Sequence, residues 1–249
     1  MNYKMTIAYD GSRYNGWQRQ GNTDNTIQGK LEQILEKRYG RTIEIHGSGR
    51  TDAGVHAEGQ TANFHLEENE APEDIRAYFN RYLPDDISVL NCEIVSERFH
   101  SRLSAVRKTY RYQIEMGEKK GVFVRHYYYG LGSSLDLSAM KRAGKILEGT
   151  HDFKSFCGNK RLKKSSVRTL ESIRFQVLEG SRLHILYTGN GFLQQMVRIL
   201  TGTLIGVGQG KRSPEEMRQI LDACDRQAAG FTAPAQGLFL EKVMYEEAE

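Results

Sequence analysis

With 249 residues, 39% hydrophobic and 27% charged, the chain can bury one large core or two small ones and is too apolar to be disordered. A formal charge of +4 and a pI near 8.8 lean toward an anionic partner, and three widely spaced cysteines without a CxxC pair, Cys92, Cys157 and Cys224, argue against a disulfide framework or structural zinc. No run approaches about 18 apolar residues, the length of a membrane span, and MNYKMTIAYDG lacks the basic start and apolar run of a secretion signal, so a cytoplasmic protein is expected.

Tyr3, Met5, Ile7 and Tyr9 alternate as one face of a strand. Ile27, Leu31, Ile34 and Leu35 fall at helical spacing, and Gly40 can end that helix. Thr42 to Ile45, and the run Ala62, Phe64, Leu66, predict two more strands. Pro72 opens a helix carrying Ile75, Phe79 and Leu83, and a strand follows near Ile87 to Val95. The same order then repeats. Val106, Lys108, Tyr110, Tyr112 and Ile114 share one strand parity, and Leu137, Met140, Ile146 and Leu147 suggest a helix ended by Gly149. Strands are expected near Ser172 to Leu178 and Leu183 to Tyr187, and a helix from about Phe192 to Leu204. Ser213, Pro214 and Glu216 read as a capping-box helix start, and Leu238 to Tyr245 as a last strand.

Two βαββαβ units of ferredoxin-like type would produce this order. The expected fold is α+β, with halves 1–100 and 101–249. In the absence of a Pro- or Ser-rich linker they are expected to pack as one pseudosymmetric body, with mixed or antiparallel sheets and a central cleft.

Basic residues cluster. Arg102, Arg107, Lys108 and Arg111 crowd one segment, and Lys160, Arg161, Lys163, Lys164 and Arg168 another. Any one such cluster is commonly a solvated face. Several beside the aromatic residues Tyr110, Tyr112, Tyr127, Tyr128 and Tyr129 point to a polyanion, with nucleic acid the leading class.

The stretch GSGRTDAGVH, Gly47 to His56, falls between the second and third strands. Glycine there allows unusual backbone angles and close approach of a ligand, and loops on rigid scaffolds carry function. A plain turn, with Asp52 bonded to its own backbone, accounts for the glycines but not for Arg50, Asp52 and His56 together. A metal site on His46, Asp52 and His56 matches no known ligand spacing, and Ser48 sits in no nucleophile elbow. Asp52 as nucleophile or general base is the remaining option, since carboxylates attack sugar carbons and a nearby Arg50 would keep it ionised. GVGQGKR, Gly206 to Arg212, fails both the phosphate-loop and the dinucleotide pattern and reads as a loop after a helix. No cofactor and no metal are expected.

Six stretches in order carry a resemblance: YDGSRYNGWQRQ (Tyr9 to Gln20), GRTDAGVHAEGQ (Gly49 to Gln60), FHSRLSAVRKTYRY (Phe99 to Tyr112), GTHDFKSF (Gly149 to Phe156), GNGFLQQMVR (Gly189 to Arg198) and APAQGLFL (Ala233 to Leu240). Along its whole length the chain resembles the tRNA pseudouridine synthase A family, with Tyr14 and Leu103 standing where phenylalanine is usual. The resemblance implies an isomerase that converts uridine to pseudouridine in the anticodon arm of tRNA, as a homodimer without a cofactor. It assigns the nucleophile to Asp52, the arginine that fills the gap left by the flipped base to Arg50, the tyrosine covering the uracil to Tyr110, and the partner of the catalytic carboxylate to Arg198. Tyr112 shares the face of Tyr110 and is expected in the core. His56, Arg107, Lys108, Lys160, Arg161, Lys163 and Lys164 are further candidates for contact with RNA. Two alternatives stay open at this point: a synthase for another RNA, and a non-catalytic RNA-binding protein whose strand aromatics stack bases.

Overall fold

The computed structural model describes residues 1–117 and 121–246. In chain order its elements are β1 (Asn2–Tyr9), α1 (Ile27–Tyr39), β2 (His46–Gly47), β3 (His56–His65), α2 (Pro72–Tyr82), β4 (Ile87–Val95), β5 (Ala105–Glu115), β6 (Tyr129–Gly130), α3 (Leu137–Leu147), β7 (Gly149–Asp152), β8 (Val167–Leu178), β9 (Arg182–Gly189), α4 (Met196–Gly208), α5 (Glu216–Ala223) and β10 (Leu238–Tyr245). The fold is α+β. Two compact units are present: Met1–Val106 with the chain from Phe239 onward, and Arg107–Leu238.

In the first unit β1 lies between β3 and β4, antiparallel to both. β2 pairs antiparallel with β3 at His46↔Asn63 and Gly47↔Ala62. β10 runs parallel to β3 at its other end, with Phe239 opposite His56. The alternation of β1 buries Tyr3, Met5 and Ile7 completely. Tyr3 stacks on Phe64 with centroids 5.6 Å apart, and Phe79 of α2 meets Phe64 edge-on at 6.2 Å. Each such side chain adds roughly 1.5–3 kcal/mol by leaving water. α1 starts where Thr26 accepts from the Gly29 N–H and stops at Gly40 in the left-handed region, as its sequence signals demand.

The stretch Thr42 to Ile45 is not a strand. Ile43 and Ile45 are buried as their apolarity requires, but side chains of α1 take the place of a neighbouring strand. Ile45 N–H donates to Glu32 Oε1 at 3.1 Å, and its carbonyl accepts from Gln28 Nε2 at 3.1 Å. Backbone groups satisfied this way need no ladder, so pairing begins only at His46.

In the second unit β5, β9, β8 and β7 form an antiparallel ladder, with Tyr110 opposite Tyr187. β6 runs parallel to β5. α3 packs on β8, α4 and α5. α4 begins four residues later than its apolar pattern suggests. Gln194 O accepts from Gly158 N–H at 2.8 Å, and Gln195 takes φ 59°, a conformation that costs a non-glycine residue and ends regular structure. α4 also runs past Leu204 to Gly208, which lies against Met140. The first part of GVGQGKR is therefore helix, and only the rest is the expected loop. At α5, Glu216 accepts from the Ser213 N–H at 2.7 Å, the backward bond of a capping box.

Candidate active site

The loop from Ser48 to Val55 is pinned from every side. β3 holds its start: Ser48 N–H donates to Thr61 O at 2.7 Å, Ser48 Oγ to Gln60 Oε1 at 2.7 Å, and Gln60 Nε2 to Gly49 O at 2.9 Å. Its middle rests on β1 and on the segment after it. The hydroxyls of Thr51 and Tyr9 are 2.8 Å apart, and Trp17 N–H donates to Thr51 O at 3.1 Å. Burial pushes the Tyr9 phenol up to about 12, against the lowering pull of its bonds to Thr51 and Gln60, so it serves as a neutral strut. The loop closes where Val55 N–H donates to Asp52 O at 3.1 Å, with Gly54 at φ 77°, an angle that favours glycine. Gly11 presses on Val55 so closely that a Cβ there would lie 2.0 Å from the Val55 carbonyl oxygen.

The loop presents Arg50 exposed and Asp52 half-buried. Arg50 Nε donates to Gln18 Oε1 at 3.0 Å. His56 lies under the loop. It is 0% exposed, and its Nδ1 accepts from Gly11 N–H and sits 3.1 Å from Asp10 Oδ1. Its ring stacks on Phe239 at 4.6 Å. Where the sequence suggests a residue that touches RNA, the structure has a buried support for the loop. Tyr14, in place of phenylalanine, uses its hydroxyl on Asp86 at 2.5 Å, fastening the turn beneath Gly54, whose N–H reaches Tyr14 O at 3.4 Å.

His46 stacks on His100 at 5.1 Å. Burial first, and the neighbouring His46 second, hold the His100 imidazole below its usual range. Among the described residues no three His, Cys, Asp or Glu side chains gather to hold a metal ion.

The second unit places the remaining candidates. Tyr110 is 8% exposed, with Phe192 edge-on at 5.0 Å. Tyr112 is a core residue, wholly buried, with its hydroxyl donating to Pro234 O at 2.8 Å. Burial pushes its phenol well up, while the Arg198 charge pulls the other way. Arg198 stands in the first turn of α4, half-buried. Its Nε donates to Ala233 O at 2.7 Å, and its own carbonyl accepts from Ala233 N–H at 3.0 Å. That two-way tie binds the late GNGFLQQMVR and APAQGLFL stretches to each other. Arg107 is paired with Glu171 at 2.6 Å, and Lys108 is half-buried. Lys160, Arg161, Lys163 and Lys164 are all exposed on the segment before β8.

The supports of the loop escape sequence reasoning: Tyr9, Gln18, Gln28, Glu32 and Gln60. A signal exists for two of them. Gln28 and Glu32 stand one turn apart on α1, among the apolar positions Ile27, Leu31 and Leu35, where an unpaired polar group would be costly.

The family model described as tRNA pseudouridine synthase matches residues 5–103 and 143–246. The tRNA pseudouridine synthase A of Bacillus sp. (strain KSM-64) is 48% identical over 244 residues, 98% of this chain and 99% of that protein. The tRNA pseudouridine synthase A 2 of Bacillus anthracis is 46% identical over the same shares. Its namesake in Clostridium perfringens (strain 13 / Type A) is 43% identical, again over 98% and 99%. With the family model matching these two stretches and relatives at 43–48% identity covering 98% of its length, the chain belongs to the tRNA pseudouridine synthase family.

Proposed function

We propose that this enzyme isomerises uridine to pseudouridine in the anticodon arm of tRNA, with Asp52 as nucleophile. What carries the reading is Asp52 itself, a half-buried carboxylate on a loop whose backbone is bonded at both ends, in a chain of this family. Fixed placement of a reacting group can supply a large part of the acceleration of a step that needs no outside reagent. The N-glycosidic bond breaks, the uracil turns, and a carbon–carbon bond forms to the same ribose. The uracil loses the proton on the carbon that bonds and gains one on the nitrogen that is released, so nothing is added or removed overall. Carboxylates are suited to attack at a sugar carbon.

The target base must leave its stack at a cost of a few kcal/mol. In this reading Arg50 fills the space it vacates, Tyr110 covers the extruded ring and Arg198 pairs with the Asp52 carboxylate. The enzyme works as a homodimer in the cytoplasm. Among the described residues no helix is long and apolar enough to cross a membrane. The test is to map pseudouridine in tRNA from cells with and without the protein, then to treat an isolated anticodon stem-loop with the purified enzyme. Loss of anticodon-arm pseudouridine in the deleted strain, and conversion of the stem-loop in vitro, are expected. Pseudouridine missing only elsewhere would overturn the choice of substrate.

Lys160, Arg161, Lys163 and Lys164 are proposed to follow tRNA phosphates. Replacing all four with neutral residues should then weaken binding and flatten its salt dependence, by about 0.7–0.9 in the log–log slope for each phosphate no longer neutralised. Titrations at several salt concentrations check this. An unchanged slope would make the segment a solvated face.

A further inference from the structure

Arg50 hangs on a chain of amides that ends at a buried carboxylate. Arg50 Nε donates to Gln18 Oε1 at 3.0 Å, Gln18 Nε2 to Gln28 Oε1 at 2.7 Å, and Gln28 Nε2 to Glu32 Oε1 at 2.8 Å. Both ends fix its direction. A guanidinium only donates and a carboxylate only accepts, so each amide turns its oxygen toward Arg50 and its nitrogen toward Glu32. Bonds aligned head to tail polarise one another, which makes Gln18 Oε1 a stronger and more directional acceptor for Arg50.

The anchor makes its contacts without Arg50. Gln28 and Glu32 are each 5% exposed. The Gln28 oxygen also accepts from Arg19 N–H at 3.0 Å, and its nitrogen also donates to Ile45 O at 3.1 Å. Glu32 takes the Ile45 N–H at 3.1 Å and pairs with Arg19 at 3.0 Å. These contacts tie α1 to Arg19 and to Ile45, the residue that precedes β2. The link onward from Gln18 to Arg50 satisfies no buried group, because Gln18 is only half-buried and Arg50 is exposed; water could serve both. Its effect is to restrict a long side chain that would otherwise sample many rotamers, and such pre-ordering helps a group that acts on a bound partner.

We infer that Gln18, Gln28 and Glu32 are positioning residues that set the Arg50 guanidinium before RNA binds. The inference rests on the proposed action of Arg50 at the flipped uridine. Gln18→Met tests it, because it removes both amide bonds at nearly constant volume and leaves the buried pair in place. Single-turnover kcat on tRNA should fall about 10- to 100-fold, the scale on which slight misplacement acts, with KM, tRNA Kd and melting temperature nearly unchanged. In an Arg50→Ala background the same change should cost less than about twofold, since two residues acting as one unit are not additive. Gln18→Ala provides the same comparison with water admitted. If Arg50→Ala is slow but Gln18→Met runs at the wild-type rate, or if the two effects multiply, the chain does not act through Arg50. Wild-type activity of Arg50→Ala would overturn the inference together with the reading beneath it, and a wild-type protein inactive on tRNA would defeat the function itself.

Discussion

Asp52→Asn is expected to fold and to bind tRNA but to form no pseudouridine, if Asp52 is the nucleophile as proposed. The substitution keeps the shape of the side chain and removes the charge that attacks, and loss of a sole nucleophile commonly costs several orders of magnitude, here at least about 10³-fold in kcat. The fold should persist, losing at most the proposed pairing of the carboxylate with Arg198. The loop is closed by the Asp52 backbone carbonyl, which accepts from Val55 N–H and which asparagine supplies equally well. A shift of no more than about 4 °C in Tm is expected, the scale of losing one partly exposed ion pair in a chain this long. Conversion measured on tRNA, beside binding and melting of the same preparation, checks all three. Residual activity within about tenfold of wild type would remove Asp52 from the nucleophile's role, and failure to bind would mean that the carboxylate shapes the RNA site.

The sequence carries the elements whose burial is periodic. β1 coincides with its alternation and β4 with its expected span, α1 with its apolar spacing and its stop at Gly40, and α2 with its start at Pro72, because those elements bury an apolar face. It fails where a backbone group finds a partner that no period announces. Thr42 to Ile45 has the composition of a strand, yet Gln28 and Glu32 supply its bonds. Phe192 and Leu193 continue the apolar spacing of α4, yet Gln195 breaks the helix before it. The last strand is equally opaque in its pairing: Leu238 to Tyr245 reads as a strand, but not as one that lies parallel to β3 beside His56.

The site divides along the same line. Asp52 and Arg50 stand out in the sequence because a charged pair in a glycine-rich loop makes poor core material, and the structure leaves Arg50 exposed and Asp52 half-buried. Tyr112 is legible as core from its place on a strand face, and its burial agrees. His56, a candidate for contact with RNA, is wholly buried with its ring stacked on Phe239, a placement that no sequence signal announces. The glutamine chain is illegible because each link spans residues far apart in sequence, Gln18 to Arg50 by 32 positions and Gln18 to Gln28 by 10.

Gly11→Ala should lower both stability and rate, although the residue touches no substrate in the proposed mechanism. Its backbone suits alanine, since its φ is not among the positive angles, so the cost is one of space alone. The added Cβ would lie 2.0 Å from Val55 O and 2.6 Å from Val55 C, and a backbone cannot swing aside as a flexible side chain does. Forcing a methyl into packed structure costs about 1–3 kcal/mol, or roughly 2–10 °C in Tm for a chain of this size. The strain falls on the loop. Val55 N–H closes the turn on Asp52 O, and Gly11 N–H is the donor to His56 Nδ1, so moving Gly11 and Val55 apart shifts the closing end of the segment that carries Asp52. A displacement near 1 Å is enough to lower kcat about 10²-fold. Gly21→Ala is the matched control, because nothing lies within 4 Å of its added Cβ, and it should melt and react as wild type does. The loss in kcat should persist well below the variant's own Tm, where all of it is folded. If Gly11→Ala instead loses stability but reacts at the wild-type rate when folded, the loop tolerates the shift and its pinning matters to the fold alone.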